Sequence, residues 1–452
     1  MSSQAEAFYA ERDRRTIQVG GHDAALSRPV HLVVGPDAAA SQPGQAAVLA
    51  TVNMLTRVHR QLHLVIPAAP ALARGLIRAG DLPSSAIETV TAINPFMAIT
   101  VSDTLATAPG TEAITAAIGK DVPGGLDLYI GWTGGRAEIA THPVPVTEGG
   151  DALVGAGTAS CLLAAGIFRT CHGSPIRSAC INLVERTEGD QAGAGSVAGP
   201  IDVGDVLVVG AGAVAHGFLY WAREFGTSGR WTVVDGDVCK LHNTNRCLGI
   251  TACHAGWPDG LPGGPEEFKA AVAAAMVDAQ SFPHWYDEWA EQERSRPDVV
   301  LPLANERAVR TLIAARGEPI LLHATTSPNW SAQLHRHIPG QDDCPACRFP
   351  DNKQPTFTCA TGPSQPEKPA SSDAALPFVS SLAGLQLATA LLQLRESSPF
   401  LSSPHNQWQL DLTLPAETWL ASRHSRTRCE HTVNDETRAR IYEIQPRRWD
   451  HK

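Results

Sequence analysis

Surplus positive charge is missing from this 452-residue chain: 36 Lys and Arg stand against 46 Asp and Glu, for a formal net charge of −10. A surface of that sign repels phosphate backbones, so nucleic acid is not an expected partner. No apolar run is read as long enough to span a bilayer, and the opening MSSQAEAFYAERDRR lacks the apolar core of a secretory signal. The expectation is therefore a soluble, cytoplasmic protein with no membrane partner. Closely spaced cysteine pairs are scarce too, since ten cysteines include a single CxxC, Cys344-x-x-Cys347. Without a secretory signal, such thiols point to metal binding or catalysis more than to disulfides. What is present is length for two or three domains and 43% hydrophobic content, ample for their cores.

The most informative stretch runs from Val206 to Arg246. An apolar run, Val206 to Val209, leads into Gly210-x-Gly212-x-x-Ala215. A helical segment follows to about Phe225, and a second apolar run ends at Asp235. Strand, glycine turn, helix, strand and terminal acid form a nucleotide-binding unit. The glycines let backbone approach a phosphate at a helix start, and the acid can accept both ribose hydroxyls. Glycines that serve only close helix packing are the bland alternative.

From Pro29 to Ile66 the same pattern recurs without its chemistry. His31 to Gly35 reads as a strand, Gln45 to Arg60 as a helix and Leu62 to Ile66 as a strand, but the turn is GPDAAASQ and Pro67 stands where a ribose acid would be. Leu126 to Trp132 reads as a strand, and Asp151 to Arg169 as a buried alanine-rich helix whose Gly155-Ala156-Gly157 serves packing. Cys161, Cys171 and Cys180 read as core thiols. The Gly-, Ala- and polar-rich stretch 185–204 reads as a linker.

After Asp235 comes Gly236-Asp237, then Asn243-Thr244-Asn245-Arg246. A dehydrogenase has no need of this DxD followed by NxNR. Here the chain resembles the adenylating superfamily of ubiquitin-activating enzymes and the sulfur-carrier activators of thiamine and molybdopterin synthesis. The resemblance covers about Arg12 to His431, and is weak over the first 200 residues. It implies an α/β fold of two Rossmann-like adenylation-type units paired as a pseudo-dimer, the first degenerate and the second active. The domains would be a degenerate unit with an N-terminal arginine arm (1–184), the linker (185–204) and an ATP-binding unit (205–343). A zinc half-site with a mobile crossover loop (344–373), the continued adenylation domain (374–431) and a polar tail (432–452) would follow.

Residue by residue, the resemblance implies that Asp235 holds the ribose and Asn243 orients the phosphates. Arg246, Lys269 and an arm arginine, best matched by Arg14 with Arg15 close behind, would neutralise phosphate charge. Lys269 falls in the first turn of a helix read as Glu266 to Gln280, where an exposed helix lysine is the bland alternative. The family's magnesium-binding aspartate is replaced by Asn305, which brings oxygen without charge, so Mg2+ would lean on Asp237 or Glu306.

Cys344 and Cys347 have the spacing of a zinc half-site. The other soft ligands lie in SRHSRTRCEH, with Cys429 and His424 or His431. The family closes this site with a second CxxC; here Thr432 takes its last place, and His431 is the chosen substitute. A reduced thiol pair is the alternative reading. Cys359, just beyond the CxxC, matches the family's acceptor thiol, in a Pro- and Ser-rich stretch suited to mobility.

The expected cofactors are thus ATP, Mg2+ and Zn2+. The expected partners are a ubiquitin-like protein ending in glycine and a ubiquitin-conjugating-like enzyme, with bacterial antiphage defence as a setting by analogy. The rival readings are a sulfur-carrier adenylyltransferase without a conjugating partner, an NAD-dependent oxidoreductase, and a binding scaffold with a decayed site.

Overall fold

Runs of Val, Ile and Leu flanked by glycine build strands buried on both faces, which is the signature of parallel sheet covered by helices. A computed structural model describes residues 2–18, 23–103, 112–175, 178–257, 264–292, 296–327, 330–348, 376–394, 398–412 and 420–424. It contains two eight-stranded sheets. The first uses β1 (Val30–Val34), β2 (Gln61–Val65), β3 (Ala98–Ser102), β4 (Ile114–Ile118), β5 (Leu128–Thr133), β6 (Arg136–Ala140), β7 (Ala179–Asn182) and β8 (Thr187–Glu188). The second uses β9 (Asp202–Val209), β10 (Ser228–Val234), β11 (Gln280–Phe282), β12 (Val299–Pro302), β13 (Leu321–Thr326), β14 (Ser331–His337), β15 (His405–Asp411) and β16 (Leu420–His424).

The two sheets repeat one topology. Their orders are β3-β2-β1-β4-β5-β6-β7-β8 and β11-β10-β9-β12-β13-β14-β15-β16. In each, the first five strands are parallel and the last three attach antiparallel. The fold is mixed α/β, and its internal duplication is a matter of strand order and direction.

Along the chain the helices are α1 (Ser3–Gln18), α2 (Asp23–Leu26), α3 (Pro36–Ala39), α4 (Gln42–Val58), α5 (Leu82–Ile93), α6 (Leu153–Cys171), α7 (Ala213–Phe225), α8 (Lys269–Ala275), α9 (Tyr286–Gln292), α10 (Arg307–Arg316), α11 (Pro345–Arg348), α12 (Pro377–Leu392) and α13 (Pro399–Ser402). Strand alternation sorts β9 between two layers: Val206 and Val208 join the main core, while Leu207 and Val209 pack with Tyr286, Trp289 and Ile313 of α9 and α10. α6 packs on the first sheet and against α4, and α12 packs on the second sheet and against α7. α6 and α12 also meet, so one hydrophobic cluster runs through both halves. A β-carbon on Gly157 would press on Trp221 and Leu385, which confirms a packing role for that glycine.

Several sequence expectations need amending. The helical stretch 150–171 is long and apolar enough to cross a membrane by length and composition, against the expectation that no apolar run is; an 18-residue apolar window within it is 94% buried inside the protein, in and around the core helix α6. The segment before the first strand is a 16-residue helix, α1, and it is docked: Phe8 and Tyr9 are buried against Leu241 and Ala252. The helix expected over 266–280 shrinks to Lys269–Ala275: before it, Glu266 and Phe268 form isolated antiparallel bridges to Ala255 and Val238, and after it β11 begins at Gln280. The stretch 185–204 supplies the edge strand β8 and the start of β9.

Candidate functional site

In the second sheet the strand order turns back between β9 and β12, leaving a crevice at their carboxyl ends. Such switch points are where open α/β sheets take ligands. Gly210 sits there with φ +95°, and a β-carbon on it would collide with Ala304 just after β12, so glycine is required by both conformation and contact. Gly212 differs: it caps α7, and a β-carbon on it would meet nothing within 4 Å. The helix start has no side-chain cap. Among the described residues no side chain takes the first N–H groups of α7, and there is room beside Gly212, an arrangement suited to an anion.

Asp235, at the tip of β10, is fixed over this turn. The Ala211 N–H donates to its Oδ2 at 2.6 Å and the Asp237 N–H to its Oδ1 at 2.8 Å. Burial raises its pKa, and Lys269 with the two backbone donors only partly offsets that. Lys269 reaches Asp237 Oδ2 at 2.7 Å with its side chain 14% exposed, so it is not a solvated helix lysine. Burial pulls its pKa down, but Asp235 and Asp237 outweigh burial, and the ammonium is held more firmly than in water. The cause is local pairing. The Cys239 N–H donates to Glu267 O at 2.7 Å and the Lys269 N–H to Asp237 O at 2.9 Å, which sets the lysine beside the acids.

The NxNR stretch forms a one-turn 3-10 helix, Leu241–Asn243, and a tight loop after it. Asn243 is buried and its Oδ1 accepts from the Lys240 N–H at 2.8 Å, so this amide oxygen holds its own turn. Arg246 is 8% exposed and donates weakly to His242 O and Asn245 Oδ1, at 3.4 and 3.3 Å. α1 lies on this turn. Its Thr16 hydroxyl accepts from Asn245 Nδ2 at 3.2 Å, and its Glu11 faces His242 at 3.2 Å. Arg14 is 52% exposed and paired with Glu11 at 3.5 Å. Burial first, then the charges of Arg15, Arg246 and Arg14, push the His242 imidazole down to about 3.

Asn305 is exposed in the turn after β12, beyond Leu303, whose N–H donates to Val209 O at 2.8 Å. Cys344 is buried and Cys347 half-buried on α11, with the Cys347 N–H 3.4 Å from Cys344 Sγ. Among the described residues, no group of three or more His, Cys, Asp or Glu could hold a metal ion. Cys359, Cys429 and His431 lie outside the described residues. Cys161 is a core thiol, pushed by burial up to about 12; Cys171 and Cys180 are half-buried.

The matching crevice of the first sheet is filled. β-Carbons on Gly35 and Gly119 would both strike the Asp37 carboxylate, whose Oδ2 accepts from the Lys120 N–H at 3.0 Å. Asp37 places a negative charge where the second sheet has open space. Sequence reasoning missed Asp37, Arg57 and Trp285, the last 53% exposed and lying against Gly236. The aspartate in GPDAAASQ was the one available signal.

No family model matches the sequence. Protein y4jF of Sinorhizobium fredii (strain NBRC 101917 / NGR234), itself uncharacterized, is 28% identical over 350 residues, covering 73% of this chain. The match spans 61% of that relative's length. Among solved structures, Escherichia coli MccB aligns at TM-score 0.35 and 13% identity, over 67% of this chain and 93% of its own. E. coli MccB with AMPCPP and MccA aligns at TM-score 0.34 and 12% identity, over 50% and 64%. PaaA aligns at TM-score 0.32 and 14% identity, over 49% and 64%. Likenesses of this size leave the chemistry of the crevice to be argued from its own residues.

Proposed function

We propose that the chain uses ATP to adenylate the terminal carboxylate of a small ubiquitin-like protein ending in glycine, and passes the acyl group to Cys359 and then to a ubiquitin-conjugating-like enzyme. The supporting observation is one constellation: an open, uncapped helix start at Gly212, a fixed acid at Asp235, and the cation Lys269 held by Asp237 at a switch point. ATP fits that donor set. Phosphates would take the free N–H groups of α7, and Asp235 keeps acceptor capacity for ribose beyond its two backbone donors.

In the first step a carboxylate oxygen bonds to the α-phosphorus and the bond to pyrophosphate breaks. Charge grows on the phosphoryl oxygens, where Lys269, Arg246 and an α1 arginine, Arg15 or Arg14, contribute most. Asp237 and Asn305 would hold Mg2+, which supplies further neutralisation of the phosphates. In the second step the Cys359 thiolate attacks the acyl carbon and AMP leaves, conserving the activation as a thioester. Cys344, Cys347, Cys429 and His431 would hold Zn2+ as a structural clamp at the base of that loop.

Exchange of labelled pyrophosphate into ATP, dependent on a small protein with a free carboxyl-terminal glycine, tests the first step. Asp235→Ala should abolish it, and absence of exchange with every such protein removes the enzyme reading. Cys359→Ala should keep exchange and lose a covalent adduct cleaved by reducing agent; a persisting adduct reassigns the nucleophile, with the exposed Cys253 next. Purified protein should carry about one zinc, and Cys344→Ser should release it, read by metal analysis.

A further inference from the structure

Arg57, near the end of α4, is completely buried, and among the described residues it has no carboxylate at ion-pair distance. Its Nη1 donates to Thr244 O at 2.6 Å and Ile250 O at 2.9 Å, its Nη2 to Leu248 O at 2.5 Å, and its Nε to Asn53 Oδ1 at 2.8 Å. Asn53, one turn earlier, adds Nδ2 to Leu248 O at 3.2 Å. Arg57 and Asn53 belong to the first half, whereas all three carbonyls belong to the second. They bracket Asn245, Arg246 and Cys247. Desolvating a cation against carbonyl dipoles alone is costly, and the fork geometry of a guanidinium is what lets one side chain fix three carbonyls at once.

The duplication gives this contact a counterpart. α4 follows the first strand of its sheet as α7 follows the first strand of the other, and α7 also reaches across. Arg223 donates to Arg74 O at 2.7 Å, and Glu224 accepts from the Arg74 N–H at 3.0 Å. Each helix thus grips the loop after the second strand of the opposite sheet. The crevice beside the loop gripped by α7 is closed by Asp37. The loop gripped by α4 carries NxNR.

We infer that Arg57, seated by Asn53, is a positioning residue through which the first half sets the 244–250 loop and so aims Arg246 at the phosphates of a bound nucleotide. This rests on the nucleotide reading of the crevice. A positioning role differs from plain structural support in what it should spare. Adenosine, which engages Asp235 and not the cations, should be indifferent to Arg57.

The experiment compares full-length wild type with Arg57→Lys and Asn53→Ala. ATP and adenosine affinities are measured by calorimetry, and amide hydrogen exchange is followed by mass spectrometry over residues 242–250. Both variants are expected to lose about tenfold or more in ATP affinity, to keep adenosine affinity, and to exchange faster over 242–250 while β1 and β2 stay at the wild-type rate. Asn53→Ala removes no charge and serves where Arg57→Lys folds poorly. Equal losses for adenosine and ATP, or unchanged ATP affinity, overturn the inference. Wild type that binds neither ligand sinks the nucleotide reading instead, and unchanged exchange over 242–250 then overturns the brace on its own.

Discussion

Lys269 shows how a single side chain takes its role from what surrounds it. The sequence offers a helix lysine of ordinary aspect; the antiparallel bridge of Phe268 to Val238, with the Glu267 and Lys269 backbone bonded to Cys239 and Asp237, sets it between two acids and out of solvent. Histidines carry the plainest residue-scale prediction. His59 and His216 are fully buried, with no hydrogen-bond partner for either ring nitrogen among the described residues, and burial drives each down to about 3. On acidification the unfolded chain binds these protons first, since a free imidazole titrates near 6.5. Their contribution to stability is therefore whole above about pH 6.5 and drains as pH falls toward 3. Glu224 has the opposite sign: burial raises it to about 7, so its contribution fades as pH rises from about 4.5 to 7. Thermal melts should show the melting temperature falling from pH 7 to pH 5, a shallower fall in His59→Leu and a steeper one in Glu224→Gln. A His59→Leu variant that keeps the full wild-type fall in melting temperature would contradict the burial of His59.

At the scale of the element, the β9–α7–β10 unit was legible because its signals are local: two apolar runs, two glycines and an acid within forty residues. The two glycines nonetheless do different things. Gly210→Ala meets a positive φ and Ala304, and should cost about 1–3 kcal/mol of stability in denaturant melts. Gly212→Ala has open space and should leave the midpoint within error, yet weaken ATP by crowding the helix start. Equal stability losses at both positions would refute the assignment. The misread elements fail for a shared reason. The helix expected from 266 starts later and the expected arginine arm is a docked helix because a backbone bridge to Val238 in one case and docking on Leu241 and Ala252 in the other come from residues distant in sequence.

Among the described residues one hydrophobic core runs through both sheets. α7 and α12 cross so closely that β-carbons on Gly217 or Gly384 would strike the other helix's backbone, and the main core cluster includes residues of both sheets. Calorimetry should therefore give a single transition with matching calorimetric and van't Hoff enthalpies, and Gly384→Val should lower it by about 1–3 kcal/mol through overpacking. Two resolved transitions would show that the halves unfold separately. Sequence alone determined the α/β class of fold and the position of the glycine turn and its acid, because each depends on neighbours within one strand–helix–strand unit. Tertiary structure decided that Asp37 closes the first crevice, that α1 docks on the NxNR loop through Thr16 and Asn245, and that Arg57 reaches across the halves to hold that loop. Those contacts join residues up to about two hundred positions apart, and no local pattern encodes which buried cation will meet which carbonyl until the two sheets have packed.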